Sequence, residues 1–427
     1  MISPPPTGRL ERLRRKARYL LSLPGPGIVT GAADDDPSGI ATYSLAGARL
    51  GYGLLWTSLF TLPLNAAVQN MCARIGLLSG GGLAAALRRR YSRRVLLTLV
   101  SLLFAANVAN LGADLAAVAA GVDMLTGLPE QGVIVPIGIA IALTEIMIPY
   151  RIFATYLKIL TLVLFAYVID VFFTQPDWSE AIKRTFIPHI ELNAEFVSTL
   201  VAVFGTTISP YLFFWQTSEE VEELHHYHKE RGTEPDVRRA QMDVNAGMLL
   251  CHVVVYFIIL TTAATFFPSG VREISTAREA AEALRPLAGN KATVLFAVGF
   301  IGTGLLTIPI LAGSAAYAVA EVFDWKEGLE EKPRQAPQFY LVIAIATVIG
   351  LVIAATGIGA IRALFIAAII NGVTAPLLIF AIIAVSNDSE VVGAHRNSAL
   401  SNALGYATVV VMSLAAIAMF ATFALSV

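Results

Sequence analysis

GPGIVTGAADDDPSGIATYSLAGARLGYGLLW, residues Gly25–Trp56, decides the fold of this chain, because an apolar stretch long enough to cross a bilayer carries Asp34-Asp35-Asp36-Pro37-Ser38-Gly39 within it. Proline has no amide to continue a helix, so the segment breaks there and frees backbone carbonyls and amides. Lipid cannot satisfy those groups, so such a break is tolerated only where it lines a protein cavity, and carboxylates at it mark a binding site. A second interruption, Thr206-Thr207-Ile208-Ser209-Pro210-Tyr211, lies in an apolar segment near the middle of the chain.

Working outward, 56% of the 427 residues are hydrophobic and 14% charged, with a mean hydropathy of +0.68. That is too apolar for a soluble chain of this length and predicts an all-α integral membrane protein. A spanning helix needs about 20 mainly apolar residues. Eleven stretches qualify: 25–49, 51–76, 95–126, 131–150, 153–174, 196–226, 243–267, 291–322, 339–357, 361–386 and 403–425.

Short cytoplasmic loops collect Lys and Arg. The tail 1–24 carries Arg9, Arg12, Arg14, Arg15, Lys16 and Arg18, and the loop after the second segment carries Arg88, Arg89, Arg90, Arg93 and Arg94. Both are expected to face the cytoplasm. Lys229, Arg231, Arg238 and Arg239, and then Lys326, Lys332 and Arg334, fall on the same side after an even number of crossings. The longer loop 268–290, with Arg272, Arg278 and Arg285 among acids, is the exception. The N-terminus is therefore expected inside and the C-terminus outside, in a bacterial inner membrane. The tail runs into a full-length apolar segment without a small-residue cleavage pattern and is read as topogenic. Cys72 and Cys251 both fall in spans and are read as packing residues, not as a disulfide or zinc framework.

The broken segments are the first and the sixth. They correspond if 25–174 and 196–386 are two five-helix halves of opposite topology, the arrangement of inverted-repeat secondary transporters, with 403–425 as an added helix. Carboxylates and helix C-terminal carbonyls at such breaks suit cations. Asp36 or Ser38 is also a good N-cap for the following half-helix. Three adjacent carboxylates exceed what a cap requires, so at least one is assigned to cation binding, with Asp34 and Asp35 either protonated or facing a water-filled vestibule. Asp114 and Glu145 lie deep in spans, and each either pairs with a neighbouring helix or belongs to a proton or ion path. Asp123 is read as solvated near a span end. Asn107, Asn110 and Asn371 are further polar residues in spans, and Asn371 serves either interhelical hydrogen bonding or coordination of metal or water. The run Glu219, Glu220, Glu222, Glu223, His225, His226 and His228 is read as the wet cytoplasmic end of the sixth segment.

Gly25–Trp56 resembles the first segment of the Nramp divalent-metal transporters, with its GPG, its Asp-Pro-Gly-Asn pattern and its glycine-tyrosine turn, and Gly205–Gln216 resembles their sixth segment, built around Met-Pro-His. GLP at Gly127–Pro129 and LAGSAAYAVAEVF at Leu311–Phe323 extend the likeness over essentially the whole chain. The resemblance implies a leucine-transporter-type 5+5 inverted repeat with Asp36 at the family's metal-binding aspartate. Gly39 stands where the family has asparagine, and Ser209 where it has methionine. Loss of the thioether removes a soft ligand, oxygen ligands suit Mg²⁺ and Mn²⁺, and two smaller residues leave room for a hydrated ion. The pattern is similar to the Nramp-related magnesium transporter branch. Tyr211 and Gln216 replace two histidines of the sixth segment, and neither titrates near neutral pH as histidine does.

The expected function is uptake of Mg²⁺, and also Mn²⁺, by alternating access, driven by membrane potential and without proton coupling. The metal set is Asp36, Gly39, Ser209, the Thr206 carbonyl and Asn371, with Asp34, Asp35, Tyr211, Gln216, Asp114 and Glu145 along the ion path. The alternatives are proton-coupled Mn²⁺/Fe²⁺ transport, an amino-acid symporter of the same fold and a non-transporting metal sensor. No cofactor, nucleic acid or obligatory protein partner is expected beyond the divalent ion and the bilayer. No phosphate-binding glycine loop, zinc-ligand spacing or nucleophile-base arrangement supports an enzyme.

Overall fold

The computed structural model describes residues 25–147, 162–329 and 331–425. The basic tail and the start of the fifth expected span lie outside the described residues. Among the described residues all regular structure is helical.

The first expected segment is divided into α1 (Pro26–Asp34) and α2 (Pro37–Leu50), followed by α3 (Leu55–Ser79), α4 (Arg93–Thr126), α5 (Glu130–Met147) and α6 (Ala166–Thr174). The sixth is likewise divided, into α7 (Ala194–Thr207) and α8 (Pro210–His226). Then come α9 (Glu234–Phe266), α10 (Ala292–Phe323), α11 (Pro337–Ala354), α12 (Ala360–Ser386) and α13 (Ala399–Leu425). The seventh span begins at Glu234 instead of residue 243. Thr233 and Asp236 form a reciprocal capping box that continues the helix into polar sequence.

By length and composition seven helical stretches are able to cross a membrane: α4, 194–226, α9, the stretch ending in α10, α11, α12 and α13. α3 has 25 residues, but Asn65, Gln69, Asn70 and Arg74 dilute its hydropathy. Two apolar helical stretches, Glu130–Thr144 and Leu162–Thr174, are shorter.

α4 runs along α10, α7 along α12, and α9 packs on α1, α2 and α3. Lipid supplies no hydrophobic drive between helices, so close backbone approach matters, and small residues allow it. A Cβ at Gly31 would run into the backbone of Gly247, and one at Gly205 into the backbone of Ala368 and Gly372. The N-terminus of α1 is held from α9, where the Asp243 carboxylate accepts from the amides of Gly25, Gly27 and Ile28 at 3.0, 2.7 and 3.3 Å. A carboxylate there also meets the positive end of the helix dipole.

The Gly205–Gly372 crossing predicts that Gly205→Val costs at least about 1–3 kcal/mol, as overpacking does. The measurement is thermal melting of the purified protein. A melting temperature equal to that of the parent would show that the two helices separate at no cost.

Candidate metal site

Proline disfavours helical geometry in the residue before it. Asp36, before Pro37, is extended at φ −68° and ψ 172°, and Ser209, before Pro210, is extended at φ −80° and ψ 127°. Pro63, Pro136, Pro309 and Pro376 lie inside continuous helices. What separates the two breaks from these is a set of side chains that takes over the freed backbone groups. Asp36 Oδ1 accepts from the Gly39 amide at 2.7 Å and the Ser38 hydroxyl at 2.6 Å. The Tyr211 hydroxyl donates to the Ala33 carbonyl at 2.9 Å, and Asn65 Nδ2 to the Thr207 carbonyl at 2.7 Å. Ser209 Oγ donates to the carbonyls of Thr206 and Gly205, at 2.9 and 3.1 Å.

The same network joins the two breaks. Ser38 and Thr206 share a hydroxyl–hydroxyl bond of 2.9 Å, as do Tyr43 and Thr207. From α4, Asn110 Nδ2 donates to Asp36 Oδ2 at 3.0 Å, and from α12, Asn371 Nδ2 reaches Asn110 Oδ1 at 3.4 Å. Asp34 Oδ2 accepts from Asn65 at 3.1 Å and from the Cys251 thiol at 3.2 Å, and that thiol also faces Asp35 Oδ1 at 3.4 Å.

Asp34, Asp35 and Asp36 are 0%, 4% and 1% exposed. Among the described residues none of the three forms an ion pair with a lysine or arginine. Asp114 on α4 is fully buried with neither oxygen hydrogen-bonded, and Asp34 Oδ1 is also without a partner. Unpaired buried carboxylates are costly, and a cation or a proton offsets that cost.

The structure brings Asp36, Gly39, Thr206 and Asn371 together, Asn371 through Asn110. The Ser209 hydroxyl turns back onto its own helix and occupies the Thr206 carbonyl, so in this conformation the carbonyl already has a donor. A Cβ at Gly39 would meet the Tyr43 ring at 3.1 Å, so the space beside this glycine is closely bordered. Asp34 and Asp35 are buried in this structure: Asp34 faces Asn65 of α3 and Cys251 of α9, and Asp35 faces the same thiol. Tyr211 closes the first break. Glu145 lies in α5, with its side chain outside the described residues.

Asn65, Asn110, Thr207 and Cys251 were not assigned to the site from sequence. Asn110 is visible as a polar residue in a span and Thr207 as part of the second break, whereas Cys251 carries no sequence signal of its own.

Gln216 links α1 to the far part of α8. Its Oε1 accepts from Thr30 Oγ1 at 2.5 Å, and its Nε2 donates to Glu220 Oε1 at 2.8 Å. Glu220 lines a cavity of about 520 Å³ together with Glu223, Asp236 and Asp243, on the side of the molecule that carries the basic loops. The histidines at the end of α8 are exposed as expected, but Glu220 is buried at 3% exposure, with its Oε1 on the Gln216 amide. Among the described residues no group of three or more His, Cys, Asp or Glu side chains could hold a metal by itself.

The pattern of the Nramp family, natural resistance-associated macrophage protein-like, matches residues 27–422. The divalent metal cation transporter MntH of Verminephrobacter eiseniae is 26% identical over 91% of this chain and 86% of its own length. MntH of Yersinia pestis is 30% identical over 69% of this chain and 72% of its own. Among solved structures, the Eremococcus coleocola manganese transporter superposes with a TM-score of 0.73 at 19% identity, covering 99% of this chain and 90% of that one. Mhp1, a nucleobase-cation-symport-1 family transporter, gives a TM-score of 0.59 at 16% identity over 93% and 91% of the two chains. The family match spans both helix breaks, and the chain belongs to the Nramp family of divalent metal cation transporters.

Proposed function

We propose that this chain carries Mg²⁺, and also Mn²⁺, into the cytoplasm by alternating access around the two breaks. Family membership makes it a transporter and not an enzyme. The observation that carries the proposal is the buried Asp34–Asp36 triplet at the junction of two broken helices, with no lysine or arginine paired to it among the described residues. A divalent cation fits that charge. An amino-acid carboxylate does not, which disfavours the symporter reading.

In this reading Asp36 is the charged ligand. Ser38, Thr206, Asn110 and Asn371 supply neutral oxygens directly or through water, and Ser209 and Gly39 set the size of the site. All donors near Asp36 are oxygen or amide groups, which suit hard ions that keep part of their hydration shell. The chain has eleven crossings, with five-helix repeats at 25–174 and 196–386, helix 403–425 added, the N-terminus cytoplasmic and the C-terminus outside. The ion leaves past Gln216 and Glu220 into the acidic cavity.

At about 2.3 kcal/mol per charge per 100 mV, an inside-negative potential favours entry of a divalent ion by about 4.6 kcal/mol, so no proton is energetically required. A second reading, proton-coupled Mn²⁺/Fe²⁺ transport, draws support from Asp114, whose unpartnered buried carboxyl is a ready proton acceptor.

The deciding experiment is ion influx into liposomes holding the purified protein at a clamped inside-negative potential, with internal pH followed. Mg²⁺ influx without acidification is expected. Acidification that tracks influx would establish coupling, and Mn²⁺ entry without Mg²⁺ entry would overturn the magnesium assignment. Asp36→Ala is expected to lower Mg²⁺ influx about tenfold or more, the scale of a lost charged contact. Transport equal to that of the parent would remove Asp36 from the site. Ser209→Met is expected to raise Mn²⁺ influx relative to Mg²⁺ in competition, because it restores a thioether.

A further inference from the structure

A second polar cavity, of about 570 Å³, lies apart from the breaks between α3, α9 and α13, on the side that carries the basic loops. α9 and α13 each pack on α3 and form its walls. Arg74 of α3 lines it and is only 8% exposed, yet among the described residues it forms no ion pair. Its Nη2 donates to the Asn397 side chain and its Nε has no hydrogen-bond partner. Leaving a buried guanidinium without an opposite charge is costly.

Arg396, Arg238 and His395 stand around the same cavity, and Glu234, paired with Arg238, is the one acid lining it among the described residues. Three arginines against one glutamate leave it positive. The walls continue into bilayer-facing apolar surface: Phe60 lies one turn from Pro63, Leu249 one turn from Asn245 and Val411 two turns from Leu404, all exposed. In each helix the continuation runs away from the basic loops, toward the membrane interior.

We propose that this cavity binds the phosphate of an anionic phospholipid headgroup from the leaflet on the basic-loop side, with the acyl chains lying along Phe60, Leu249 and Val411. A guanidinium fork matches a phosphate in two bonds, and basic pockets between spanning helices on the cytoplasmic side suit such headgroups. The bound lipid would act on a junction. Asn397, which accepts from Arg74, also donates to Ser386 at the end of α12 and to Asn402 of α13, both at 2.8 Å. Headgroup binding would thereby tie α3 to the α12–α13 corner.

The test is the melting temperature of the purified full-length protein titrated separately with phosphatidylglycerol, phosphatidylcholine and inorganic phosphate. Phosphatidylglycerol is expected to raise it and the other two are not. Arg74→Gln and, separately, the exposed Arg396→Gln are expected to weaken the phosphatidylglycerol response about tenfold in concentration. Arg396→Gln keeps the test intact if Arg74→Gln does not fold. Equal responses to the two lipids, an undiminished response in the variants that fold, or full reproduction of the effect by inorganic phosphate would each overturn the proposal.

Discussion

Every feature of the site depends on one constraint: backbone groups freed in the middle of an apolar bundle must find partners inside the protein. At the two breaks they do so through side chains. Tyr211 of the second half closes the Ala33 carbonyl of the first, and Asn65 of α3 closes the Thr207 carbonyl. The C-terminal ends of α1 and α7 are thus completed by residues from elsewhere in the chain, while Asp36 and Ser209 act locally. The same packing places the hydroxyls of Ser38 and Tyr43 in α2 on those of Thr206 and Thr207 in α7.

That interdependence bears on transport. A site whose ligands also complete helix ends cannot change one contact without loosening another. The Ser209 hydroxyl holds one lone pair of the Thr206 carbonyl, and the second lone pair of that oxygen stays free of it. Likewise Asn110 joins Asp36 to Asn371, so that α4 and α12 both respond to the charge on one carboxylate.

The sequence reading came close on the helices and fell short on the shell around Asp36. Apolar runs place helices because hydrocarbon accepts little else, and the boundaries failed mainly where a cap such as Thr233–Asp236 extended a helix past its apolar part. Asp36, Gly39 and Thr206 were legible because they stand at a proline break or beside it. From sequence, Cys251 reads as packing, and Gln216 as a replaced histidine on the ion path. Their roles beside Asp34 and between Thr30 and Glu220 depend on partners about 190 to 220 residues away in sequence.

By itself, then, the sequence determined that this chain is an all-helical membrane protein with two interrupted segments, one of them acidic, and that its motifs resemble one transporter family. Those properties are local: hydropathy over about 20 residues, proline chemistry and short motifs. Only the tertiary structure decided which carboxylate faces which amide, that Asp34 and Asp35 turn to a thiol, and that Arg74 forms no ion pair among the described residues. Such facts belong to pairs of residues on different helices, and the packing of glycine faces such as Gly31 on Gly247 and Gly205 on Gly372 sets the distances between them.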